Sequence, residues 1–167
     1  EAFLAESLTV PDSCLVLDVR LPGLNGLQLQ EALARKGFPV AVVFITGHGD
    51  VPTSVRAMKA GAVDFLQKPF AGDELLAAIR RAVRRTHEAV TKQAEYVAIR
   101  RRYDSLTPRE QQVLVLVVTG LLNKQVAGEL GAAEKTVKIH RGRVMAKMEA
   151  HSLADLVRMA GILGIPQ

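Results

Sequence analysis

Leu106-Thr107-Pro108-Arg109-Glu110, followed by Asn123-Lys124-Gln125-Val126-Ala127 and then by Glu134-Lys135-Thr136-Val137-Lys138-Ile139-His140-Arg141, is the set of stretches that organises this chain. Thr107 has the side chain of a helix N-cap, Pro108 suits a first helical position because its missing N–H is not needed there, and Glu110 stands where it can reach back to the cap. A helix therefore starts at Pro108. Gly120, Gly131 and the Glu149-Ala150-His151 stretch then divide 107–167 into four short helices with loops of a few residues. Helices this short, closely linked and uncapped by long loops read as a helix-turn-helix bundle.

Working outward, 167 residues with 49% hydrophobic content suffice for two small cores. Trp is absent, aromatics make up 4%, and Ala, Leu and Val dominate, which favours helices and parallel sheet over an antiparallel sandwich. The expected organisation is an α/β domain over 1–86, a helical linker over 87–104 and an all-α domain over 105–167. Residues 80–104 hold 8 Lys+Arg against 3 Asp+Glu, with Ile79, Val83, Val90, Val97 and Ile99 too thinly spread to build a core. Charge is uneven: 6 Lys+Arg against 7 Asp+Glu in 1–72, but 16 against 10 in 73–167, so the second part is the one suited to phosphates. Cys14 is the only cysteine and lies in an apolar run, which excludes an intramolecular disulfide and fits a reducing cytoplasm. No apolar run is long enough for a bilayer, and nothing resembles a signal peptide, so a soluble protein without membrane partners is expected.

In the first half, Cys14 to Asp18, Val40 to Ile45 and Val63 to Leu66 are short apolar runs ending in polar or Gly/Pro residues. Between and after them, Gly26 to Lys36, Val51 to Ala60 and Asp73 to Arg85 carry helical spacing, which predicts parallel strands joined by helices. Asp18, Thr46 and Lys68 then gather at the carboxyl edge of the sheet, where such folds bind ligands. A carboxylate, a hydroxyl and an ammonium together suit phosphoryl transfer onto Asp18, with the other two neutralising the transferred oxygens. His48 and Asp50 in their Gly-flanked loop are read as solvated, and no metal is assigned to them.

Leu15-Val16-Leu17-Asp18-Val19-Arg20-Leu21-Pro22-Gly23, Phe44-Ile45-Thr46-Gly47-His48-Gly49-Asp50 and Asp64-Phe65-Leu66-Gln67-Lys68-Pro69-Phe70 resemble the receiver domains of bacterial two-component response regulators. The resemblance implies a flavodoxin-like fold in which Asp18 accepts a phosphoryl group from a sensor histidine kinase. It also implies that Thr46 and Lys68 bind the phosphoryl oxygens, that Phe65 is the aromatic that swings inward, and that the Lys68–Pro69 bond is cis and aims Lys68 at the site. Mg²⁺ would be held by Asp18 and the backbone carbonyl of Arg20. Receivers have a further strand, helix and strand in front, with acidic residues that hold Mg²⁺. Only Glu1 to Thr9 precede the Asp18 run, so the reading is of a truncated receiver with an incomplete parallel sheet, in which Mg²⁺ binding and phosphorylation are weakened and the Asp18 strand is an open apolar edge.

In the second half, counting 100° per residue from Val137 places Val144 and Met148 on one face of a helix and Lys135, Ile139, Gly142 and Ala146 on the other, flanked by Lys138 and Arg143. Cations, a small residue for close approach and an Ile able to meet a thymine methyl are what a major-groove helix needs. These segments resemble the four-helix DNA-binding domain of the LuxR, FixJ and NarL class, and the pairing with a receiver is most similar to FixJ-like regulators. The resemblance implies that Lys138, Ile139 and Gly142 face base edges and that Lys135, Thr136 and Arg143 lie near the backbone. Asn123 is expected to cap the scaffold helix, with Lys124 or Gln125 in reach of a phosphate. Arg141 suits either an ion pair with Glu110 or a phosphate, and Ala132-Ala133 stand where a Ser or Thr cap would be usual. Leu153, Leu156, Val157 and Ala160 would pack the last helix, leaving Met159 and Leu163 for a partner. That helix would join two domains on a two-fold operator.

The function expected is that of a cytoplasmic, non-enzymatic transcriptional response regulator switched at Asp18, forming a homodimer on phosphorylation or on double-stranded promoter DNA. A constitutive DNA-binding protein whose receiver remnant only dimerises is one alternative. An Asp-nucleophile phosphatase is another, disfavoured because Arg20 stands where such enzymes place a second acid.

Overall fold

The computed structural model describes residues 12–20, 25–37, 40–47 and 51–166. Glu1 to Thr9, Leu21-Pro22-Gly23, His48 and Asp50, on which parts of the sequence reading fell, lie outside them. The chain forms two compact units, 1–92 and 93–167.

In the first unit β1 (Cys14–Asp18), α1 (Gly26–Arg35), β2 (Ala41–Thr46), α2 (Val51–Lys59) and β3 (Asp64–Gln67) alternate, followed by α3 (Gly72–Asp104). The strands form a parallel sheet in the order β1-β2-β3. β2 is central, which explains its unbroken apolar sequence: Val42 and Phe44 pack with Leu17, Leu27 and Ala57 on one face, while Ala41 and Val43 meet Ala78 and Ala82 of α3 on the other. Along β1, Val16 is 37% exposed, as expected of a strand paired on one side among the described residues. Asn25 starts α1 through a reciprocal cap in which the Gln28 N–H donates to Asn25 Oδ1 at 2.9 Å and the Asn25 N–H donates to Gln28 Oε1 at 3.1 Å. The start of β2 is tied to α3 by the Ala41 N–H, which donates to the buried Thr86 Oγ1 at 2.9 Å.

The helix read over Asp73–Arg85 and the stretch after it are a single 33-residue helix, and Ile99 is not a spectator as its sparse neighbours suggested. It is 2% exposed and belongs to the core of the second unit. That unit contains α4 (Pro108–Val118), α5 (Asn123–Leu130), α6 (Glu134–Met148) and α7 (Leu153–Ile162). Val113, Leu114, Val126, Val137, Val144, Met148 and Leu156 close one continuous core. At the head of α4 the Glu110 N–H donates to Thr107 Oγ1 at 3.3 Å and the Thr107 N–H donates to Glu110 Oε2 at 2.9 Å. Gly131 ends α5 in the left-handed region at φ 58°, where glycine carries no Cβ penalty.

Several contacts differ from the sequence reading. Asn123 is the first residue of α5 rather than its cap; Leu122 precedes the helix and its N–H donates to Gln125 Oε1 at 2.8 Å. Glu110 pairs with Lys147, not Arg141, whose Nη1 donates to Asn123 Oδ1 at 3.2 Å. Met159 is buried at 4% exposure while Leu153 is 39% exposed, so the expected division of α7 between core and free surface is reversed at these two positions.

Candidate phosphoryl site and DNA-recognition helix

Asp18 ends β1, Thr46 ends β2 and Lys68 follows β3 by one residue, so parallel pairing brings all three to the same edge. Lys68 Nζ donates to Asp18 Oδ2 at 2.9 Å, and the Arg20 N–H donates to Asp18 Oδ1 at 2.9 Å. The Arg20 amide, then the Lys68 ammonium, hold the Asp18 carboxyl below the usual carboxylate range, which keeps it an anion. Lys68 is positioned by its own backbone: its N–H donates to the Thr46 carbonyl at 2.7 Å, and the Lys68–Pro69 bond is cis. Thr46 is buried at 1% exposure, and Phe65, half-buried, packs against Phe44 with ring centroids 6.4 Å apart.

Gly26, which the sequence reading passed over, shapes this edge. Its N–H donates to the Val19 carbonyl at 3.1 Å, and a Cβ there would lie 2.6 Å from the Asp18 carbonyl oxygen and 2.9 Å from the Phe44 ring. Only glycine lets α1 approach the end of β1 so closely. The signal was present in the Asn25-Gly26 pair at a helix start, but the identity of the opposing backbone is non-local.

In the second unit, Lys135, Thr136, Lys138, Ile139, Gly142 and Arg143 of α6 are all exposed, and Val137, Val144 and Met148 on the opposite face are buried. Ile139 is 50% exposed, an apolar side chain held out among cations. A Cβ built at Gly142 meets nothing within 4 Å, so the protein's own packing does not demand glycine there. Lys124 and Gln125, at the start of α5, are exposed as well, although the Gln125 carbonyl is engaged at the helix start. Ala133, the residue before α6, supplies no side-chain cap. The helix is anchored at its middle and in its last turn: Arg141 holds Asn123 of α5, and Lys147 Nζ donates to Glu110 Oε2 at 2.6 Å and to the Ser105 carbonyl at 3.2 Å. Glu110 is 2% exposed, and Lys147 and then the Thr107 N–H keep its carboxyl below the ordinary range.

The response regulator receiver domain family matches residues 5–80, and the luxR family of bacterial regulatory proteins matches residues 104–160. Nodulation protein W of Bradyrhizobium diazoefficiens is 58% identical over 159 residues, covering 94% of this chain and 70% of that protein. The chain belongs to the FixJ-like two-component response regulators. Transcriptional regulatory protein FixJ of Rhizobium meliloti is 46% identical over 96% of this chain and 78% of its own length. Among solved structures, response regulator StyR superposes with a TM-score of 0.76 at 49% identity, over 89% of this chain and 75% of that one.

Such regulators join a receiver to a LuxR-type DNA-binding domain and act in transcription. Receiver domains as a family bind Mg²⁺. In this FixJ-like chain the Asp18 carboxylate at the edge is already engaged by Lys68 and the Arg20 amide. No group of three or more His, Cys, Asp or Glu able to hold a metal occurs among the described residues. Among the described residues a single carboxylate does not amount to a divalent site. No helix among the described residues is long and apolar enough to cross a membrane.

Proposed function

We propose that this regulator is switched by phosphorylation of Asp18 and reads promoter DNA with the exposed face of α6. The observation that supports the switch is the Lys68 ammonium 2.9 Å from Asp18 Oδ2 at the carboxyl edge of the sheet. An Asp18 oxygen attacks the phosphorus of a histidine kinase's phosphohistidine, the P–N bond breaks, and the histidine nitrogen leaves with its electron pair and takes up a proton. Lys68 and the Thr46 hydroxyl then hold the new phosphoryl oxygens. Phe65, lying against Phe44, reports the altered edge by repacking, and the balance shifts toward a homodimer competent for double-stranded promoter DNA. The acyl phosphate is a signal and not a turnover intermediate, so this is no enzyme.

In DNA recognition Lys138 and Ile139 read base edges, Gly142 lets the helix approach the groove, and Lys135, Thr136 and Arg143 contact the backbone. Lys124 and Gln125 add phosphate contacts from α5. Selection from a pool of random-core duplexes tests these roles. Lys138→Ala or Ile139→Ala should change the selected sequence, whereas Lys135→Ala should weaken all duplexes alike and reduce the slope of log affinity against log salt by about one. Uniform loss on every sequence with Lys138→Ala overturns its base-reading role.

A further inference from the structure

We propose that Arg141 of α6 and Asn123 of α5 form a clamp for one backbone phosphate of duplex DNA, a contact separate from those of Lys135, Thr136 and Arg143. The inference rests on the reading of α6 as the helix that meets DNA, and it assigns a ligand to a cation that the bundle leaves unneutralised. Arg141 lies one turn beyond the buried Val137, at the margin between the buried and exposed faces of α6, and is half-buried. Its Nη1 donates to Asn123 Oδ1 at 3.2 Å. The buried acid of the bundle, Glu110, pairs with Lys147, and Arg141 takes part in no ion pair among the described residues.

A guanidinium carries five N–H donors and no acceptor, and a carboxamide whose oxygen is engaged still has two donors. Nε and Nη2 of Arg141 and Nδ2 of Asn123 make no hydrogen bond among the described residues, and none of the three is buried away from solvent, so a ligand outside the protein reaches them. The contact between the two side chains holds these donors beside one another. A carboxylate at position 123 would grip Arg141 about twice as strongly but would cancel its charge. The amide orients the guanidinium and leaves the charge for a compact anion with several acceptor oxygens. Lys124 and Gln125, directly after Asn123, and Lys138 and Gly142, around Arg141, are exposed and belong to the two segments that meet DNA in this reading. The anion that arrives there is a phosphodiester of the duplex.

Duplexes in which one phosphate at a time is replaced by an uncharged methylphosphonate, in a sequence that the parent chain selects, test the proposal when the affinity of the full chain is measured. At one position the replacement should weaken the parent about tenfold and leave Arg141→Gln, itself about tenfold weaker on the unmodified duplex, indifferent. Arg141→Gln should also lower the slope of log affinity against log salt by about one, and Arg141→Lys, which keeps the charge, should retain it. If Arg141→Gln does not fold, Asn123→Asp tests the same contact with the cation in place: its carboxylate still ties α5 to α6, but sensitivity to that one replacement should be lost. Replacements that cost the parent and both neutralising variants alike overturn the clamp. So does an Arg141→Gln whose affinity falls with an unchanged salt slope, the mark of a side chain that only positions α6. A folded parent that binds no duplex overturns the DNA reading itself, and the clamp with it.

Discussion

The two units solve the problem of holding a functional edge in different ways. In the second, α4 to α7 close on one core, and α6 is fixed by its own buried face together with Arg141 and Lys147. In the first, the described apolar residues split into two small clusters on either face of the three described strands, and the edge that bears Asp18 depends on Gly26, the Lys68 backbone and the pairing of separate strands. A helical face is specified by residues three and four apart, whereas a sheet edge is specified by residues tens of positions apart. Function is therefore locally encoded in one unit and topologically encoded in the other.

The largest effect expected to break this contrast comes from Glu110. Glu110→Ala removes the acceptor shared by Lys147 and the Thr107 N–H in a buried setting, and should destabilise the second unit by about 2–3 kcal/mol, measured by denaturant unfolding. Because the folded-state pKa of Glu110 is lowered, its contribution is complete above the ordinary glutamate range near pH ~4.3 and is lost as pH falls through the lower folded value. Glu110→Gln should accordingly flatten the acid unfolding of that unit, and an acid limb identical to the parent's would remove Glu110 from the account.

Gly26→Ala comes next. The added methyl must displace either the Asp18 carbonyl or Phe44, costing about 1–3 kcal/mol and shifting the amide resonances of Asp18 and Arg20; unchanged resonances would mean that α1 is not the support of this edge. Gly142→Ala sharpens the comparison from the other side. With open space at its Cβ, α6 should gain about 0.5–1 kcal/mol in stability from better helix propensity, while affinity for duplex DNA falls. A stabilised variant with undiminished DNA affinity would show that close approach at Gly142 is not used.

Legibility followed the same division. The faces of α6 emerged from 100° spacing because Val137, Val144 and Met148 repeat with the helix period, and the capping box at Thr107 and Glu110 is a contact three residues long. Asp18, Thr46 and Lys68 were legible as strand ends, which parallel pairing must align. What the sequence did not reveal was non-local or a matter of choice between equals. Lys147 and Arg141 are both cations on α6 within reach of α4 or α5, and only the packed helices decide that Lys147 meets Glu110. Ile99 looked isolated because the core it enters is made by residues that follow it. Gly26 depends on neighbours across the fold that no spacing rule places.

The most direct test is the intact mass of the chain after incubation with acetyl phosphate, with and without Mg²⁺, beside an Asp18→Ala control. A phosphoryl adduct present in the parent and absent from the control is the predicted result. A folded chain that gains no adduct under either condition, or gains the same adduct without Asp18, would contradict the assignment of the switch to this edge.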